Sequence, residues 1–168
     1  QYECFINVLE ALAAVDEQID LFEYSLSKLV IRHLEPHFEN RSRTAAQIYS
    51  LKRLGSACHL LLSGLAHAAG GEFEVIVKAY QSGKAILADE VEMNAQPMGQ
   101  FDLDSLDQAL NTLSACGPKQ KTKLIEAAAA TVSADGYLQI QEAELLRAIA
   151  DSLGCPIPPL SIELDEVA

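Results

Sequence analysis

The chain has 168 residues, 49% of them hydrophobic, with no Trp and a formal charge of -12. At roughly 150 residues a chain buries about 70% of its unfolded surface, so a core forms here without a disulfide framework. Twelve Lys and Arg against 24 Asp and Glu repel phosphate backbones and anionic lipid alike, which sets nucleic acid aside as a partner. The run of eighteen or more apolar residues that a membrane helix needs is missing, so no direct membrane insertion by this segment is expected. Cys4, Cys58, Cys116 and Cys155 stand far apart without a CxxC pair, which writes neither a zinc knuckle nor a redox motif.

Ala and Leu dominate the apolar residues and favour helix over strand, so the expected class is all-α. Phe5, Val8, Leu9, Leu12 and Ala13 recur at helical spacing over 3–15. Phe22, Leu26, Leu29, Val30 and His33 repeat the pattern until Pro36, which disfavours helical geometry at Glu35. Residues 35–53 read as a polar, basic connector with a short helical stretch at 45–49. Within it Arg41, Arg43, Lys52 and Arg53 follow one another with no acid between them, a local basic patch on an acidic chain.

Helical density returns over 54–69 and stops at Gly70-Gly71, and another helix follows over 73–87. Residues 88–101 combine Asp89, Glu90 and Glu92 with Pro97 and Gly99 and read as an exposed linker. Asp102 or Asp104 then caps a helix through Leu106, Leu110 and Leu113, which Gly117-Pro118 breaks before a helix over 119–133. The last helix runs from Gln139 or Ile140 to Leu153, ended by Gly154 and three prolines, with a flexible tail at 161–168. The expected architecture is one bundle of about seven helices over 1–160.

Sliding the chain by 119 residues pairs "VDEQIDLFEYSL" (15–26) with "ADGYLQIQEAEL" (134–145). Asp16 meets Asp135, Ile19 meets Leu138 and Glu23 meets Glu142, so both ends of the chain carry one helix-turn-helix unit. Such units bury each other's apolar faces, because one helix pair cannot close a core.

As a calcium loop, "SADGYLQIQEAEL" puts Asp135 and Gly136 at the fifth and sixth positions and Glu142 at the twelfth. The first and third positions are Thr131 and Ser133, so two carboxylates are missing. The structural reading is stronger. Asp20 and Glu23 match a capping box, Glu142 suits the third position of a helix that Gln139 caps, and Asp135-Gly136 makes a tight turn. A weak calcium or magnesium surface built from the same acids is the alternative. "HLEPH" is not HExxH, because Pro36 interrupts the helix that would align the rings. His59 and His67, eight apart on one helix, read as packing or partly exposed residues. GxSxG, GxxxxGK[ST] and GxGxxG are all missing, which leaves hydrolase and nucleotide readings without an anchor.

"DLFEY" followed by "RHLEPHF", then "HLLLSGLAHAAG" and "LIEAAAATVSADGYLQIQEAELLRAIADSLGCPIPP", resembles the C-terminal region of bacterial membrane-bound, HtpX-like zinc metallopeptidases. The acid-Gly then Glu turns are also similar to tellurite-resistance TerB-like helical domains. The resemblance implies a longer parent protein with HExxH, zinc and membrane helices upstream of Gln1, and a fragment with no catalytic residue or cofactor of its own. The expected role is a noncatalytic accessory domain that contacts the parent protease domain or another protein, cytoplasmic and tethered to the inner membrane through the parent. The alternative is a TerB-like module responsive to divalent metal, whose acids would map onto Asp16, Asp20, Glu23, Asp135 and Glu142. Glu17 stands where that pattern has Gly.

Overall fold

The computed structural model describes Val30, residues 48–99 and residues 103–158. Among these residues the fold is all-α, with five helices. They are α1 (Gly55–Ala68), α2 (Phe73–Leu87), α3 (Leu103–Ser114), α4 (Pro118–Val132) and α5 (Ile140–Ser152). The helices expected over 3–15 and 22–34, and the first copy of the repeat, lie outside the described residues save for the helical Val30.

α1 is the central helix. Cys58, His59 and every residue from Leu61 to Ala66 are buried, and its neighbours are α2, α3 and α4. A helix apolar nearly all round needs partners on several sides, which is why the Leu-rich stretch ends up in the middle. Fully burying a leucine such as Leu62 or Leu65 contributes about 1.5–3 kcal/mol relative to leaving it exposed.

α2 lies on α4, the most extensive helix pairing among the described residues. Gly83 permits it: a Cβ there would stand 2.7 Å from the Ala127 carbonyl and collide with Thr131 Oγ1. Thr131 is itself buried and donates its hydroxyl to Ala127 O at 2.9 Å, satisfying its polar atom within α4. α5 closes the group against α4 and α3, burying Leu145, Leu146 and Ile149.

The short helical stretch expected at 45–49 is not what Ile48 and Tyr49 form. Ile48 makes an isolated parallel bridge with Cys116, its amide donating to Ala115 O at 2.9 Å and its carbonyl accepting from Gly117 N–H at 2.8 Å. A helix would use both groups within its own turns, whereas here they staple the start of the described chain to the α3–α4 connection. Residues 88–99, read as exposed linker, carry no helix, and most are exposed or half-buried. Val91 and Pro97 are buried, however, and the segment returns over α1 as a strap.

Candidate functional site

The strap and the start of α1 enclose a cleft of about 740 Å³. Lys52, Arg53, Ser56, His59, Glu92 and Asn94 supply its polar wall, and Leu60, Met93 and Met98 line it as well. Two cations of the sequence's basic patch therefore stand here, while Arg41 and Arg43 lie outside the described residues. The Glu92 carbonyl approaches Gly55 so closely that a Cβ there would lie 2.6 Å away, so the glycine lets the strap meet the helix start.

His59 is 7% exposed and its Nδ1 is 2.7 Å from Tyr80 Oη on α2. Tyr80 donates its one hydroxyl proton to the Asn94 carbonyl at 3.0 Å. Lys84 Nζ also donates to Asn94 O, at 3.0 Å. Burial, and secondarily the Lys84 charge, lowers the His59 pKa and holds the ring neutral. Burial, with the nearby Cys58 thiol, pushes Tyr80 up to about 12. The chain from His59 through Tyr80 to Asn94 is thus a fixed set of neutral donors and acceptors. Two turns on, His67 Nε2 donates to Met98 O at 2.6 Å and Ser63 Oγ accepts from Met98 N–H at 3.0 Å, which anchors the far end of the strap.

A second, smaller cleft of about 210 Å³ lies where the α4–α5 turn meets α2. Asp135 and Glu142 both line it, together with Val75, Lys78 and Thr131. Each of the two acids has a local structural task. Asp135 Oδ1 accepts from Tyr137 N–H at 3.0 Å, and Gly136 takes φ 91°, a conformation that glycine adopts without a Cβ penalty. Glu142 is 7% exposed, and its Oε2 accepts from Gln139 N–H at 2.8 Å, the backward arm of a capping box. The structure therefore brings Asp135 and Glu142 to one cleft wall, while Asp16, Asp20 and Glu23 lie outside the described residues.

Among the described residues no group of three or more His, Cys, Asp or Glu is placed to hold a metal ion. No described helix is long and apolar enough to cross a membrane. Cys58, Cys116 and Cys155 are free thiols, Cys58 raised to about 12 by burial and then by Cys116. The sequence reading singled out Lys52 and Arg53 but not their meeting with His59. The signal that could have found it is the absence of a Ser, Thr, Asp or Asn cap at the start of α1, where Leu54 stands after two cations. Compared with family models, with curated proteins and with solved structures, the chain matches none.

Proposed function

We propose that this chain is a noncatalytic accessory domain of a membrane-bound zinc metallopeptidase of the HtpX-like kind, acting by contact with the parent protease domain or another protein. The observation that carries the binding role is the exposure of large apolar side chains on the α4–α5 turn and at the smaller cleft. Tyr137 and Ile140 are 77% and 62% exposed on the turn that brings Asp135 and Glu142 to the cleft, and Val75, 48% exposed, lines the same cleft from α2. Exposed large apolar side chains are what a protein contact buries. The resemblance of "DLFEY…RHLEPHF" and the later blocks to the C-terminal region of these peptidases supplies the parent. In this reading the bundle has about seven helices, and its two TerB-like units pack against each other. The parent's zinc and membrane spans lie upstream of Gln1 and tether the domain to the inner membrane from the cytoplasmic side. The complete reading frame tests the assignment: HExxH and apolar spans before Gln1 support it, and their absence contradicts it.

The meeting of Asp135 and Glu142 at one cleft wall favours a second reading, a TerB-like module that senses calcium or magnesium with Asp16, Asp20 and Glu23 from the first copy. Calorimetric titration of the chain with either ion decides between them. The accessory-domain reading predicts no heat and no change in melting temperature at millimolar ion. A saturable heat that the Asp135→Asn variant loses would establish the sensor.

A further inference from the structure

We propose that residues 88–99 form an acid-released strap, with His59 as the latch that keeps it closed over the cleft at the start of α1. The proposal does not rest on the protease assignment. It stands on how the strap is held and on what surrounds His59.

Among the described residues no backbone–backbone hydrogen bond reaches 92–99. Side chains of α1 and α2 hold the segment instead. Tyr80 Oη and Lys84 Nζ each donate to Asn94 O at 3.0 Å, and Gln81 donates to Ala95 O. The Ser63 and His67 bonds to the Met98 backbone hold the far end. A segment without a ladder of its own opens more readily than the helices beneath it.

His59 is 7% exposed, meets the Tyr80 ring edge-on with centroids 5.4 Å apart, and lines the cleft of about 740 Å³. Tyr80 and Lys84 on α2 act on it directly, while Glu92 of the strap and Lys52 and Arg53 before α1 share its cleft. Cys58 precedes it on α1 as a neutral thiol, and α3, α4 and α5 contribute no residue to the cleft wall. Its hydrogen-bond partner is the phenol of Tyr80, not a carboxylate.

Protonation therefore places a full charge where burial and Lys84 oppose it. The phenol oxygen can accept from a charged imidazole but does not neutralise it, and a buried unpaired charge is costly. Two responses lower that cost, and both act on the strap. The ring turns into the cleft toward water and Glu92, which leaves Tyr80, a holder of Asn94, without its packed neighbour. Lys84 is driven off as well, and it holds the same Asn94 carbonyl. In the open strap the imidazole titrates near its ordinary value of about 6.5, and in the closed strap lower. The closed form is thus fully favoured above about pH 6.5 and loses ground below it, by up to about tenfold per pH unit.

The test is amide hydrogen exchange followed by NMR from about pH 7.5 to about pH 5, read as protection factors for Met98 in the strap and Leu62 within α1. The proposal predicts that Met98 protection falls by about tenfold or more toward the acid end. It stays below that of Leu62 throughout and is insensitive to low urea, which marks strap opening rather than unfolding of the whole chain. His59→Gln, which can still bond Tyr80 but does not titrate, abolishes the acid-dependent loss. Lys84→Gln, which keeps a donor for Asn94 without the charge, reduces it. Met98 protection that is independent of pH, that equals Leu62 protection at every pH, or that falls equally in His59→Gln or Lys84→Gln overturns the proposal.

Discussion

Tyr80 shows how a single buried hydroxyl organises its surroundings: it shares a hydrogen bond with His59, bonds the Asn94 carbonyl, and lies near enough to the Cys58 thiol for that group to oppose its ionisation. Cys58 is raised from its ordinary 9.0 to about 12 and Tyr80 from 10.0 to about 12, in each case chiefly by burial. Unfolded chains release these protons at lower pH than the folded chain does, so the folded state's advantage is present below the ordinary pKa and is lost as pH rises toward the folded value. Denaturation midpoints measured from about pH 8 to about pH 10 therefore fall, each fully titrating thiol contributing up to about 1.4 kcal/mol per pH unit. Cys58→Ala lowers stability at neutral pH but flattens this alkaline slope, and an unchanged slope would contradict the assignment. At the acid end His59 has the opposite sign: its lowered pKa makes the folded state lose stability as pH falls below about 6.5, where the unfolded imidazole takes up a proton first. The His59–Tyr80–Asn94 chain was not legible in the sequence, because its members are 14 and 21 residues apart and share no periodic pattern. The Asp135 turn and the Glu142 cap were legible, because both are bonds between residues two or three apart.

The five described helices were legible to within a residue or two, since their ends are set by neighbours in sequence. α4 begins with Pro118 at its first turn after Gly117, and positive φ at Gly70 and Gly154 follows α1 and α5. The strap and the Ile48 bridge were not legible, because single long-range hydrogen bonds fix them: Met98 to Ser63 and His67, and Ile48 to Ala115 and Gly117. Nor does composition reveal the α2–α4 approach, which depends on one glycine facing one threonine. Gly83→Ala raises intrinsic helix propensity by about 1 kcal/mol, yet here it drives a methyl into Thr131 and the Ala127 carbonyl. Overpacking of this kind costs about 1–3 kcal/mol, so net destabilisation is expected, seen as a lower thermal midpoint. Combining it with Thr131→Ser leaves the hydroxyl in place and does not rescue, whereas Thr131→Ala removes the clashing atom and recovers part of the loss. A Gly83→Ala chain as stable as the parent chain would show that α2 and α4 do not approach as described.

Across the described residues, charge and apolar surface are distributed unevenly, and that unevenness carries the proposed function. Lys52 and Arg53 stand beside the start of α1 on a strongly acidic chain, while Val75 exposes apolar surface at the small cleft and Tyr137 and Ile140 expose theirs on the α4–α5 turn and the start of α5. The two acids that the repeat brought to notice serve the α4–α5 turn and the start of α5. Sequence alone indicated an all-α chain and the position of its second helix-turn-helix unit. It did not indicate which apolar residues would remain uncovered, because Ile140 and Leu145 fit the same helical pattern and only packing separates the exposed one from the buried one. The most direct test of the central proposal, that this chain docks through its exposed apolar residues, is its affinity for the protease domain that the proposed reading places in the same reading frame. The account predicts saturable binding that Tyr137→Asp/Ile140→Asp weakens by about tenfold or more while circular dichroism is unchanged. Absence of binding, or equal binding by this double variant, would contradict it.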